Sequence, residues 1–587
     1  MSVKALNQNR RAQVAETMVL ALMAGWITYL IQKKKEYLHE GIEKTSLLTK
    51  QRLLQTVSMS YSLFVLYILG LSAVMWSICR HQTLSKALRA SSRQERDTGL
   101  VVGCVLPPFV LFSRLLVGMY HEEVFSSFTF FYAWTSISIG VSVLLKVAVF
   151  GTVTSCSVNA LVDMVLLPVA FGLFSPVEAE WRFLLATGGR VIVAAVLSAG
   201  FKLLPRSFTM GEAMLVAEGI GLCLYDLVLV TVEKVSECDV IDLQPVVLHP
   251  WLIIEIDRPD YVMALQVGMM GSLLVCVALI PLLWSYGSPS PTIVAQSLPV
   301  KGTVTFVLTV AVFVGGVVYP WSCFLLQTWN PIAWLLGFLM ESSNVSVFLP
   351  PRFELIGYWA VCLVVLIPFF AFISNRFALR NIVARKLFHL LAVLMLGPAS
   401  LIDASMLSLS YGVALSSFVL VECVRALALP PFGQSIAKFM RSFIDHREGG
   451  RVILTHSYLL LGCALPLWLA SLSIRISAVA VNAGVLALGV GDAMGAIVGS
   501  SIGKRRIFGS KTVEGCAAVF ISMMLASIPL HDYHLRSFCN GEHVQLVLLT
   551  AATILTTVLE AATAQIDNLV LPLFFYTACN LVDCHRV

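Results

Sequence analysis

Charge is what this sequence has least of. Only 13% of its 587 residues are Asp, Glu, Lys or Arg, about half the share in a soluble globular domain. A chain this poor in charge cannot cover a water-facing surface, which excludes an ordinary soluble enzyme. No CxxC occurs among the 14 cysteines, so metal and redox readings are weak; Cys276, Cys362 and Cys463 read as small buried apolar residues. There is no GxxxxGK[ST] and no HRD or DFG set, which excludes the P-loop and protein-kinase solutions to nucleotide binding. Periodic repeats and low-complexity tracts are also missing. The apolar runs do not alternate as the strands of a membrane barrel would. No small-residue cleavage site follows the first run, Thr17 to Ile31, so that run is expected to remain as a span. Cys584 lacks a following aliphatic pair, so prenylation is not expected.

What the sequence has is long apolar runs, with 58% hydrophobic residues. At about 20 residues per crossing they give roughly 15 to 17 candidate spans. Continuous apolar runs are helices, because a helix satisfies its own backbone in lipid. The expected fold is an all-α polytopic integral membrane protein. The formal charge of +6 matters less than where the cations sit. The flanks Lys4 to Arg11, Lys33 to Arg52 and Arg80 to Arg96 are all basic, and three successive flanks cannot all obey the positive-inside rule. The topology of the N-terminal end stays open. Leu100 to Val232 reads as about five helices, interrupted by the polar island Pro205 to Ala213. Glu212 there sits where a helix dipole favours an acid.

The last third is more regular. Basic loops recur at Arg376 to Lys386, Lys438 to Arg451 and Lys504 to Lys511, separated by pairs of spans. The pairs are Leu387 to Leu401 with Ser405 to Leu427, and Val452 to Leu472 with Ala478 to Val498. Even numbers of crossings put all three loops on one side, which their charge names as cytosolic. Cys516 to Leu530 then leaves that side and Val544 to Leu559 returns, bringing the turn Glu560 to Asn568 to the same side. We divide the chain into an N-terminal multi-span region, 1–375, with a lipid-binding or scaffold role, and a C-terminal catalytic helix bundle, 376–587.

The polar patch Gly489 to Gly515 stands out within this oily sequence. Asp492 is an acid inside an apolar run and so a functional candidate, suited to Mg²⁺ carried on phosphate oxygens. Gly489, Gly491 and Gly495 let backbone amides approach an anion; their spacing equally suits close helix packing. Lys504, Arg505 and Lys511 suit phosphate, and equally serve as a topology signal. Thr512 and Glu514 stand where a new helix begins, a place that binds anions. Lys386 and His389 share one helical face, and a histidine there suits proton transfer from an alcohol. Arg447, Glu448 and His456 form another polar cluster at a helix entry. Glu560, Gln565, Asp567 and Asn568 occupy a turn and suit metal binding or substrate recognition.

The order Arg385-Lys386-x-x-His389, Gly491-Asp492-Ala493, Gly503-Lys504 and Lys511-Thr512-Val513-Glu514-Gly515 resembles the polyprenol kinase family of CTP-dependent lipid kinases. Ser207 to Ala213, Ile453 to Gly462 and Glu560 to Leu569 resemble its dolichol-phosphorylating branch. The resemblance is dense from Arg376 onward and sparse before it. It implies transfer of the γ-phosphate of CTP to dolichol at the endoplasmic reticulum membrane, on its cytosolic face, to supply glycosylation. It implies Mg²⁺ or another divalent cation on Asp492 and Glu448. Nucleotide contacts would come from Gly489, Gly491, Gly495, Arg447, Lys504, Arg505, Lys511, Thr512 and Glu514. His389, Glu560 or Asp567 would act on the hydroxyl, and Lys386, His456, Gln565 and Asn568 would position substrate. The family has Arg-Asp where this chain has Arg447-Glu448, which makes Glu448 a less direct match than Asp492. The expected partners are dolichol, CTP and the bilayer, with no nucleic acid; the oligomeric state is not legible. A kinase of phytol, farnesol or diacylglycerol, a cytidylyltransferase and a polytopic transporter are the other readings. A transporter would line a midplane path with its polar groups, whereas these gather on one face.

Overall fold

The structure is a computed structural model that describes residues 3–44, parts of 57–68, 93, 98–121, 127–145, 179–237, 258–287, 300–341, 351–377, 381–440, 452–470, 477–535 and 542–586. Among these, helices account for nearly everything, and the one pair of β-bridged residues is Arg506 and Thr512. Nine of the described helices are long and apolar enough to cross a membrane, and four shorter apolar helices accompany them. The chain is therefore a multi-pass, all-α membrane protein. The sequence also leads one to expect a second span over Thr56 to Cys79 and helix breaks at Gly151 and Pro176; that span lies mostly, and both breaks wholly, outside the described residues.

The chain forms two compact units. The first comprises Asn9–Asp257, Asn540–Ile566 and Tyr576–Val587, and the second Met1–Gln8, Arg258–Cys539 and Asp567–Phe575. In chain order the first unit holds most of α1 (Val3–Lys44), then α2 (Leu100–His121), α3 (Ser127–Leu145), α4 (Ala179–Leu203) and α5 (Met210–Glu237). The second holds α6 (Asp260–Tyr286), α7 (Val300–Phe313), a π turn (Val314–Val318), α8 (Tyr319–Leu325), α9 (Pro331–Met340) and α10 (Pro351–Arg376). It continues through α11 (Asn381–Ile402), α12 (Ala404–Ala426), α13 (Gly433–Met440), α14 (Thr455–Ala470) and α15 (Ala478–Val481). A π segment (Val485–Asp492), α16 (Ala493–Ser501) and α17 (Val513–Leu535) complete it. The chain returns to the first unit in α18 (Glu542–Ala562), and α19 (Asp567–Asp583) begins in the second unit and ends in the first.

In the first unit α2, α3, α4 and α5 pack in succession, and α2 also lies on α5. The polar island of the sequence ties this unit together. Pro205 falls between α4 and α5, and Thr209 and Glu212 form a capping box at the start of α5. The Thr209 amide donates to Glu212 Oε2 at 3.0 Å, and the Glu212 amide to Thr209 Oγ1 at 3.2 Å. The spacing Thr-x-x-Glu before an apolar run is the signature of that motif. Glu212 also accepts two bonds from the Arg93 guanidinium, at 2.7 and 2.9 Å, and one from the Ile566 amide at 3.3 Å. The Thr209 hydroxyl donates to Gln565 Oε1 at 2.7 Å. Both members of the ion pair are buried. Glu212→Ala strands the Arg93 charge inside the unit and is expected to lower stability by about 3–5 kcal/mol. Thr209→Ala loses only a cap, about 1 kcal/mol. Unfolding in detergent micelles checks this order, and equal effects would show that the ion pair contributes nothing beyond the cap.

In the second unit α6 lies along α12, and α12 along α14. Asp403 caps α12 by accepting from the Met406 amide at 2.8 Å and pairs with Arg352 Nε at 2.7 Å. Few of the side chains of α7 and α10 are buried. On apolar helices, that exposure is a face for lipid. Gln8, at the start of α1, donates to the Ile507 carbonyl at 3.4 Å.

Candidate active site

The site is built where α11 meets the π segment and α16. A π turn carries one residue more than an α turn and is frequent at functional sites. The apolar stretch Val485-Leu486-Ala487-Leu488 leads into Gly489-Val490-Gly491-Asp492, so the segment ends on the buried acid. Lys386 and His389 approach from one face of α11. The Lys386 ammonium donates to Asp492 Oδ2 and pairs with it. His389 Nδ1 stands 3.0 Å from the Leu488 carbonyl and 3.5 Å from Asp492 Oδ2. A carbonyl oxygen can only accept, so Nδ1 carries the hydrogen, and in the neutral imidazole Nε2 is left as an acceptor. The charges of Lys511 and Asp567 act on this cluster, Lys511 on Asp492 and Asp567 on His389. Four of the expected site residues thus converge with Lys511 of the cationic loop.

That loop is a short hairpin between α16 and α17. The Ile507 amide donates to the Lys511 carbonyl at 2.9 Å and the Val513 amide to the Arg505 carbonyl at 2.8 Å. Gly509 makes the turn with φ of 56°, a conformation that favours glycine. The Glu514 carboxylate closes the hairpin by accepting from the amides of Lys504 at 3.1 Å and Arg505 at 3.3 Å. Thr512 caps α17, its hydroxyl accepting from the Gly515 amide at 3.2 Å. Glu514 and Thr512 therefore shape the loop, while the side chains of Lys504, Arg505 and Arg506 are exposed.

The glycines pack helices together. A Cβ on Gly489 would meet Val393, one on Gly491 Met523, and one on Gly495 Val519. The small-residue reading of the Gly491, Gly495 and Gly499 spacing is realised as the seam between α16 and α17.

Beside His389 opens a cavity of about 530 Å³, walled by α10, α11, α12 and α14. Its lining is overwhelmingly apolar. Its polar members include His389, His456 at the start of α14, and Asn568 at the start of α19. Asn568 is fixed there because a Cβ on Gly462 would overlap its carbonyl, so α14 and α19 touch backbone to backbone. This cavity is the part of the site that the sequence did not announce. Its walls come from helices far apart in the chain, and each reads alone as an ordinary span.

The remaining expected residues fall into three groups. Glu560 is buried at the end of α18 and Gln565 bonds Thr209, both in the first unit. Asp567 and Asn568 belong to the second unit with Asp492. Arg447 and Glu448 lie outside the described residues.

Among the described residues no three His, Cys, Asp or Glu side chains gather as a metal cage. Mg²⁺ needs none, since it commonly takes one or two carboxylates and the oxygens of a substrate phosphate. A single buried carboxylate beside cations, as at Asp492, fits that mode.

A family model described as dolichol kinase matches residues 191–462, which include Lys386, His389 and His456. The chain is similar to the Arabidopsis thaliana protein named dolichol kinase EVAN, 29% identical over 551 residues, covering 88% of this chain and 93% of that protein. It is 32% identical to the human dolichol kinase over 389 residues, covering 63% of this chain and 65% of that one. It is 33% identical to dolichol kinase sec59 of Schizosaccharomyces pombe over 266 residues, covering 43% of this chain and 51% of that one. No solved structure matches the chain at a significant level. A multi-pass helical architecture, a half-buried lysine with a buried histidine and aspartate beside an apolar cavity, and these similarities across plant, animal and yeast proteins lead to one assignment: the chain belongs to the dolichol kinase family.

Proposed function

We propose that this protein transfers the γ-phosphate of CTP to the hydroxyl of dolichol, forming dolichyl phosphate at the cytosolic face of the endoplasmic reticulum membrane. The observation that carries the reading is the junction at His389. One edge of the imidazole bonds Leu488 and faces Asp492, and the residue also lines an apolar cavity. A charged centre and a lipid pocket therefore share one residue, as phosphorylation of a lipid alcohol requires.

Phosphoryl transfer depends on positioning and charge neutralisation. The alcohol enters hydroxyl first, and His389 Nε2 accepts its proton, with Asn568 and His456 orienting the oxygen. Lys386, Lys511, Lys504 and Arg505 neutralise the triphosphate, joined by Arg447. Asp492 would hold Mg²⁺, with Glu448 as the second acid, and the metal would neutralise charge on the nucleotide. Gly489 keeps the π segment close enough to α11 for Asp492 to reach Lys386, and Gly491 and Gly495 seat the segment and α16 on α17. The catalytic assignment stays with residues 376–587, with Glu560 and Gln565 in the stretch that leads into Asp567 and Asn568.

Purified protein is to be incubated with γ-labelled CTP or ATP and with dolichol, phytol or diacylglycerol. Label is expected in dolichyl phosphate, from CTP. Label on diacylglycerol alone would refute the reading, as would release of pyrophosphate with a cytidylylated lipid.

A further inference from the structure

Glu422 is a buried acid that the transfer site leaves unused. It lies near the end of α12, and Arg425 follows one turn on; both are buried. Arg425 forks onto the carboxylate, Nε donating to Oε2 at 2.8 Å and Nη2 to Oε1 at 2.7 Å. A third donor comes from another part of the chain. The Ile453 amide donates to Oε1 at 2.6 Å. Ile453 is itself buried and stands two residues before α14. The Leu454 carbonyl next to it accepts from the Tyr458 amide at 2.9 Å, which opens the first turn of α14. His456 lies in that turn and lines the cavity beside His389.

α12 and α14 run antiparallel and are tied at both ends. At the other end the Trp468 indole donates to the Ser408 carbonyl at 3.1 Å, and its ring meets Tyr411 edge-on. One tie would leave α14 free to pivot on α12; two fix its height. The tie at Glu422 is the one beside His456. Its chemistry suits placement more than stability. Burying two charges costs solvation, and an apolar pair of similar size often stabilises a fold as well. An apolar pair, however, offers the Ile453 amide no acceptor. The bidentate fork also holds the carboxylate in one plane, and the acid meets the positive end of the α14 dipole.

We propose that Glu422, held by Arg425, is a positioning residue for His456. It sets the first turn of α14 so that the imidazole reaches the alcohol oxygen beside His389. This rests on the proposed function, in which His456 orients that oxygen. No bond is made or broken at Glu422, and its effect on the transfer passes through His456.

The test uses the full chain in nanodiscs, with dolichol and γ-labelled CTP. Glu422→Leu with Arg425→Met removes the acceptor and strands no charge, so this apolar pair is expected to fold. It is expected to lower kcat about tenfold, the scale of coupling within one bonded network, with KM for CTP unchanged. Glu422→Gln with Arg425→Met returns a carbonyl acceptor to Ile453 and is expected to recover most of that loss. His456→Ala is expected to lower kcat about as much as the apolar pair does, and the three substitutions together no further. Losses that multiply would overturn the proposal, as would wild-type kcat in the apolar pair or an equal loss with glutamine. Arg425→Lys keeps the counterion but not the fork, and it serves if the apolar pair does not fold. Its loss, about threefold, is expected to vanish in the His456→Ala background; a loss that persists there would overturn the proposal. Hydrogen exchange gives a readout independent of turnover. The amides of Ile453 and the first turn of α14 are expected to exchange faster in the apolar pair, with those around Cys463 unchanged. Unaltered exchange at Ile453 would likewise overturn the proposal. If the wild-type protein phosphorylates no lipid alcohol, the proposed function fails, and exchange at Ile453 still decides whether Glu422 holds the turn.

Discussion

Asp492→Asn is expected to lower phosphorylation of the lipid alcohol by about 10²–10³-fold, the effect of removing one preorganised charged or polar group from a transfer site. The substitution keeps the shape and deletes the charge. Asp492 is buried and paired with Lys386, so the variant also leaves a cation without its counterion inside the unit. That second effect is one of stability and can be separated from catalysis. Adding Lys386→Met removes the stranded cation, and replacing both members of a buried pair is often neutral for stability. The double variant is expected to regain thermal stability and to stay inactive. Recovery of activity in the double variant would mean that Asp492 serves only to neutralise Lys386.

His389→Gln is expected to lower kcat by about 10²–10⁴-fold, the range for loss of a positioned general base. KM for the alcohol should change little, because the apolar wall is untouched. The pH profile gives the stronger evidence. Protonation of Nε2 removes its acceptor, so wild-type activity falls as pH drops through the imidazole titration. The residual activity of the variant should be flat over the same range. If the variant keeps the acidic fall, the base is another group, and Asp567, whose charge acts on His389, is the next to test.

Much of the second unit was legible in the sequence because lipid imposes simple rules on length and polarity. The runs Leu387 to Leu401 and Ser405 to Leu427 became α11 and α12, and in the first unit Val544 to Leu559 became α18, each within a few residues of the expected bounds. Lys386, His389 and Asp492 were legible as polar residues out of place in apolar sequence, and the structure brings them together. The roles of Thr512 and Glu514 were not, because a hydroxyl and an acid at a helix start serve a bound phosphate and a helix cap equally well. In the structure both act on backbone amides. The glycines were ambiguous for a similar reason. Thr209 and Glu212 carried a recognisable capping spacing, yet nothing in the sequence pointed to Arg93 as the partner of Glu212, since the two lie far apart in the chain. The cavity was illegible because it belongs to no single segment.

The π segment before Asp492 sets the phase of everything around it. One surplus residue rotates the downstream helix by about 100° relative to an uninterrupted α-helix. Midway along the segment Leu488 faces His389 on α11, while Gly491 at its end and Gly495 beyond it face α17. A helical wheel drawn through 478–501 therefore scrambles two true faces into one false one. The same arithmetic makes the stretch intolerant of length change rather than of composition. A one-residue deletion there would preserve nearly all its chemistry and turn the acid, the carbonyl and the glycine seam away from their partners together.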